Sequence, residues 1–88
     1  MMKLVFFGTP SFAIPALTAL HNSKHEILAI VTMPDKRSGR GLINTASAVK
    51  RAAEEFNYPI FQPVELCDSG FLKILNKINA DIFVVVAY

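Results

Sequence analysis

At 88 residues the chain has room for one small domain, and 52% of it is hydrophobic, a high share for a length at which surface outweighs interior. A net charge of +2 is too small to indicate a nucleic-acid partner by itself, and the single cysteine, Cys67, excludes an internal disulfide and fits a cytoplasmic chain. Every apolar run falls far short of the roughly 20 residues that a membrane span requires, and the run after Lys3 breaks at Gly8 without a cleavage site, so neither an anchor nor a leader is read here.

Lys3 to Phe7 is a continuous apolar run closed by Gly8-Thr9-Pro10, the pattern of a buried strand ending in a turn. Ala13, Ala16, Leu17 and Leu20 then fall on one face of a helix that Thr9 or Ser11 can cap, with Pro15 near its first turn and Asn22-Ser23 at its end. Glu26 to Thr32 reads as a second buried strand stopped by Pro34. Met33 to Ala46 shows no periodicity and is rich in glycine, serine, asparagine and charge, which predicts a long loop of the kind that carries function. Val49, Ala52, Ala53 and Phe56 mark a second helix, closed by Asn57 and Pro59, and Ile60-Phe61 a short third strand closed by Pro63. Asp68 or Ser69 can cap a third helix with a core face of Phe71, Ile74, Leu75 and Ile78, and Ile82 to Ala87 forms a fourth strand.

The alternation β-α-β-α-β-α-β with apolar strands implies a parallel sheet with right-handed crossovers and helices on both faces. The predicted fold class is α/β: half of a doubly wound, Rossmann-like sheet in strand order 3-2-1-4, with ligands at the carboxyl ends of strands 1 and 4. The closing run Asp81-Ile82-Phe83-Val84-Val85-Val86-Ala87-Tyr88 has the β-branched character of a strand buried on both faces. Residues 1–88 are therefore expected to be a fragment of a larger domain, with a fourth-strand edge through which the fragment self-associates.

Two features on the predicted ligand edge could carry chemistry. Gly8-Thr9-Pro10-Ser11-Phe12 joins the first strand to the first helix, where backbone N–H groups can hold an anion or a polar ligand edge. A glycine turn before a capped helix explains it equally well, and the dinucleotide and P-loop patterns are both missing. Asp35-Lys36-Arg37-Ser38-Gly39-Arg40-Gly41 places three cations within five residues between glycines, and such arginines can fold onto a phosphate backbone. Lys50 and Arg51 oppose the dipole of the following helix and could extend that patch, although a solvated polar loop is the simpler reading. His21 and His25 sit at the far turn without metal-ligand spacing, Cys67 reads as a half-buried apolar residue, Asp81 as a turn residue, and Glu54, Glu55 and Glu65 as solvent-facing. No metal site, acid–base pair or nucleophile triad can be assembled.

Three stretches in one register resemble the N-terminal region of the methionyl-tRNA formyltransferase family: Val5-Phe6-Phe7-Gly8-Thr9-Pro10-Ser11-Phe12-Ala13-Ile14-Pro15, Val31-Thr32-Met33-Pro34-Asp35-Lys36-Arg37-Ser38-Gly39-Arg40-Gly41, and the closing Asp81 to Tyr88 run. Pro59-Ile60-Phe61-Gln62-Pro63 is similar to that family's short third strand. The resemblance implies transfer of a formyl group from 10-formyltetrahydrofolate, as co-substrate, to the amino group of methionine on initiator tRNA. It implies tRNA contact by Arg40, supported by Lys36 and Arg37 between Gly39 and Gly41, a substrate cleft at Gly8, Thr9, Pro10 and Phe12, and a folate-pocket edge at Ala87 and Tyr88. The family's catalytic Asn, His and Asp match no position here. The chain has Leu42-Ile43 where lysines are common in the family, so the loop is expected to be less basic.

The resemblance further implies a cytoplasmic, monomeric full-length enzyme with no metal and no membrane partner, and an inactive fragment. The alternatives are another formyltetrahydrofolate-dependent enzyme of the same fold, such as a sugar-amine formyltransferase or a formyltetrahydrofolate hydrolase, and a non-catalytic nucleic-acid-binding module.

Overall fold

The structure is a computed structural model that describes residues 1–38 and 43–88. In chain order the elements are β1 (Lys3–Phe7), a 3-10 turn over Ser11–Ala13 leading into α1 (Ile14–His21), β2 (Glu26–Val31), β3 (Lys36–Ser38), β4 (Ile43–Thr45), α2 (Ala48–Glu55), β5 (Ile60–Phe61), α3 (Ser69–Ile78) and β6 (Ile82–Val85). Four of the strands form one sheet in the order β5-β2-β1-β6, and every pairing in it is parallel. Counted within that sheet, the order is the 3-2-1-4 of half a doubly wound, Rossmann-like α/β fold.

Alternation along β1 explains why helices cover both faces. Leu4 and Phe6 point to one side, where they pack with Ala13 and Leu17 from the first crossover and with Val49 and Ala53 of α2. Val5 and Phe7 point to the other side, against Phe71 and Leu75 of α3. In β2 the alternation slips: Leu4 is opposite Ile27 but Val5 is opposite Ala29, so Leu28 is skipped in the ladder. This irregularity is why Ile27 and Ile30, three apart, share a face, while Ala29 and Val31 share the opposite one.

Several local expectations change. Neither Thr9 nor Ser11 caps the first helix; the 3-10 turn takes the place of a cap, and the Thr9 hydroxyl is used elsewhere. The stretch from Met33 to Ala46 is not wholly loop, because β3 and β4 pair antiparallel with Lys36 opposite Thr45 and Arg37 opposite Asn44. That hairpin lies outside the parallel sheet, and its polar strands carry no apolar alternation by which to recognise them. Ile74, expected on the core face of α3, is 40% exposed, since the contact with the sheet is made by Phe71 and Leu75, with Ile78 packed against them. Cys67 is exposed rather than half-buried, because the Glu65–Asp68 turn before α3 stands off the core.

The caps of α2 and α3 follow from their sequences. Ser47 accepts from the Lys50 N–H, and Asp68 accepts from the Phe71 N–H at 2.9 Å, each side chain satisfying an otherwise orphaned donor. Asn79 ends α3 in the left-handed region at φ 56°, a conformation asparagine tolerates. Asp81 does more than turn the chain: its carboxylate accepts the Lys3 N–H at 2.8 Å while its own N–H donates to the Lys3 carbonyl, locking β6 to β1 at their amino ends. β6 is the outer strand, and Ile82, Phe83 and Val85 on it are exposed.

A candidate nucleic-acid and substrate rim

Each crossover in a parallel sheet starts at the carboxyl ends of the strands, so β1, β2 and β5 deliver their following segments to one rim. Gly8 leaves β1 through a crowded passage. A Cβ there would lie 2.8 Å from Phe6 Cε1 and 3.0 Å from both Ala13 Cβ and the Val86 carbonyl, so the position needs glycine for close approach. The Gly8 N–H donates to the Val31 carbonyl and the Val86 N–H to that of Phe7, which stitches the ends of β2, β1 and β6 together.

Three hydroxyls lie side by side beyond this stitch. Thr32, fully buried at the end of β2, pairs with Ser47 Oγ at 2.7 Å, and the Met33 N–H donates to Thr9 Oγ1 at 3.2 Å. The Val49 N–H reaches the Thr9 carbonyl, so the first turn of α2 rests on the turn after β1. Hydrogen-bonded to one another, these groups form a polar floor.

Over that floor opens a cavity of about 360 Å³ whose walls include Thr9, Pro10, Met33, Pro34, Lys36 and Arg51. The turn after β1 and the base of the hairpin therefore meet in one concavity, with cations on two of its sides. Among the sequence-predicted residues, Thr9, Pro10 and Lys36 are brought together there. Gly8 lies beneath it as a buried spacer, Phe12 projects outward at 78% exposure, and Arg37 is exposed on β3. Gly39, Arg40 and Gly41 lie outside the described residues.

Ala87 and Tyr88 lie past the end of β6. Ala87 has a φ of 52°, and Tyr88 turns inward so that its ring meets Phe7 edge-on, with centroids 6.0 Å apart. Burial pushes the Tyr88 hydroxyl pKa up from its ordinary value. Tyr88 stands on the α3 side of β1, and neither residue is among those that line the cavity.

Lys50 does not extend the free basic patch. Its ammonium holds both carboxylate oxygens of Asp35, at 3.1 and 3.0 Å, and the Gln62 amide donates to Asp35 at 2.8 Å and to the Met33 carbonyl at 3.1 Å. Hydrogen bonds from Gln62 first, then Lys50, hold the Asp35 pKa below its ordinary value. In the sequence Gln62 stands only within the short third-strand motif, and the signal for its role is a lone amide between Phe61 and Pro63 at the carboxyl end of a strand predicted to reach the rim.

The histidines belong to the opposite edge. His21 stacks on Phe56 at 3.9 Å and shares a 2.6 Å hydrogen bond with the Tyr58 hydroxyl, while His25 Nδ1 accepts the Met2 N–H. Among the described residues no group of three or more His, Cys, Asp or Glu could hold a metal ion, and no helix is long and apolar enough to cross a membrane.

Comparison with known proteins agrees with this architecture. The relatives include methionyl-tRNA formyltransferases of Pelotomaculum thermopropionicum and Rickettsia bellii, each 46% identical over 87 residues, and of Coxiella burnetii, 48% identical over 87. The alignments cover 99% of this chain but only 28–29% of those proteins, so the chain spans little more than a quarter of their length. A family model described as formyl transferase matches residues 2–88, and the chain belongs to that family.

Proposed function

We propose that residues 1–88 form the N-terminal part of a formyltransferase domain. The full-length protein, on this reading, transfers a formyl group from 10-formyltetrahydrofolate to the amino group of methionine on initiator tRNA, the step that prepares translation initiation. In that reaction the methionine nitrogen bonds to the formyl carbon, the bond from that carbon to the folate nitrogen breaks, and the amine proton passes to the folate nitrogen. The observation that carries the reading is the 46–48% identity, over nearly the whole chain, to proteins named methionyl-tRNA formyltransferase. The rim supports it, since a cavity walled in part by Lys36 and Arg51 at the base of a basic hairpin suits a polyanionic substrate.

Within this chain the roles are binding and orientation. Arg40, with Lys36 and Arg37, contacts the tRNA acceptor arm, flanked by Gly39 and Gly41. Gly8, Thr9, Pro10 and Phe12 border the substrate cleft, and Ala87 and Tyr88 lead to the folate pocket. The groups that move protons belong to the rest of the domain, so the 88 residues alone are inactive. The reaction requires no metal, and the protein works as a cytoplasmic monomer.

The test is an assay of the full-length protein with 10-formyltetrahydrofolate and three acceptors in parallel: methionyl initiator tRNA, an amino-sugar nucleotide, and water. Formyl-methionine on the tRNA is expected. Formylation of the sugar amine alone, or release of formate without an acceptor, would overturn the reading in favour of a different member of the family.

A further inference from the structure

The basic hairpin is anchored at its base by side chains from two other parts of the fold. Asp35 immediately precedes β3, Lys50 lies in the first turn of α2, and Gln62 immediately follows β5. The Lys50 ammonium bridges both Asp35 oxygens, while the Gln62 amide donates to Asp35 and to the Met33 carbonyl. Met33 is itself fixed from the other side, its N–H donating to Thr9. The segment that launches β3 is therefore held at two successive points before the hairpin begins.

We infer that Asp35, Lys50 and Gln62 are positioning residues, a clamp that sets the direction in which the basic hairpin leaves the sheet and hence how its cations meet a nucleic-acid backbone. This rests on the reading that the hairpin contacts tRNA. The clamp uses a carboxylate where simple attraction to a polyanion would exclude one. Its negative charge is neutralised by Lys50, which costs the protein one free cation on a surface proposed to attract phosphate. That arrangement makes sense where geometry matters more than charge. The clamp touches no substrate, and its effect passes through Lys36 and the hairpin.

Charge and position predict opposite signs, which makes the inference testable. Asp35→Ala removes a negative charge beside the proposed tRNA surface, so electrostatics alone would tighten binding. The clamp predicts the reverse: in the full-length protein, affinity for initiator tRNA falls roughly three- to tenfold, with the unfolding midpoint little changed. The exchange Asp35→Lys with Lys50→Asp keeps net charge constant, places an acid in the first turn of α2 where the dipole favours it, and lets Gln62 turn its amide oxygen toward the new ammonium. It restores most of the lost affinity. Arg40→Ala is measured alongside. If Arg40→Ala weakens binding while Asp35→Ala leaves it unchanged or tighter, or while the exchange is no better than Asp35→Ala, the clamp is wrong and the tRNA reading stands. If Arg40→Ala has no effect, the tRNA reading fails, and the clamp falls with it.

Discussion

The Gly8 Cα lies so near the end of β6 that a single added carbon would stand 3.0 Å from the Val86 carbonyl oxygen. The same carbon would meet Phe6 Cε1 at 2.8 Å and Ala13 Cβ at 3.0 Å, and none of the three neighbours is the free end of a flexible chain. Gly8→Ala must therefore part β1 from β6 or push the first crossover outward. We expect a loss of about 1–3 kcal/mol, the usual cost of overpacking, read as a lower urea midpoint at low protein concentration. An unchanged midpoint would mean that the rim is looser than its geometry implies.

Ser47 does two jobs with one oxygen. It accepts the Lys50 N–H at 3.0 Å as the cap of α2, and it partners the fully buried Thr32 hydroxyl at 2.7 Å. Ser47→Ala removes both, leaving Thr32 with Thr9 at a weak 3.5 Å. A destabilisation of about 1–2 kcal/mol follows from the lost cap and the stranded hydroxyl. Ser47→Thr, which keeps the oxygen, should recover most of it in the same unfolding experiment.

On α3, adjacent positions should respond very differently. Leu75 is 9% exposed and packs beneath the sheet, whereas Ile74 is 40% exposed. Leu75→Ala should cost about 2–5 kcal/mol and Ile74→Ala well under half as much, by the usual dependence of truncation cost on burial. Equal losses would restore Ile74 to the core face that periodicity alone assigned to it.

Acid should release the hairpin clamp only at unusually low pH. Asp35 is held below its ordinary value of 3.8 by hydrogen bonds from Gln62 and Lys50. A carboxylate depressed in the folded state contributes stability above its unfolded pKa and loses that contribution as pH falls through the lower, folded value. Binding geometry at the rim should thus be constant across neutral and mildly acidic pH as far as this group is concerned. A carboxyl-carbon NMR titration of Asp35 should show a midpoint below 3.8, and a midpoint at or above it would contradict the hydrogen bonding.

The exposed side chains of β6 predict the behaviour of the 88-residue chain by itself. Ile82, Phe83 and Val85 are 41%, 50% and 64% exposed on a strand that, among the described residues, has one unpaired edge, an invitation to pair with another copy. Sedimentation should show concentration-dependent association that Val85→Lys reduces. A monodisperse monomer at high concentration would count against it.

The parallel sheet was legible because each of its strands is an apolar run, and because Ala13, Leu17, Val49, Ala53, Phe71 and Leu75 repeat at helical spacing. Topology followed from the alternation of those elements, and with it the placement of Thr9 and Lys36 on one rim. The hairpin was not legible: Lys36-Arg37-Ser38 and Ile43-Asn44-Thr45 are too short and polar to show a period of two. Nor was the role of Lys50. As a cation near a helix start it looked free to meet phosphate, and only the fold brings Asp35 and Gln62 to its ammonium and its partner. The burial of Ile74 was overestimated because periodicity gives a face and not how wide a contact the sheet leaves for it.

If tRNA meets the carboxyl rim of the sheet, as proposed, a site-specific photocrosslinker placed on that rim should reach it. A crosslinker replacing Arg37 on β3 is compared, in the full-length protein, with one replacing His25 at the opposite edge, where Nδ1 holds the Met2 N–H. Adducts with the acceptor arm of initiator tRNA are expected from position 37 and none from position 25. Adducts from position 25 alone, or equal yields from both, would contradict it.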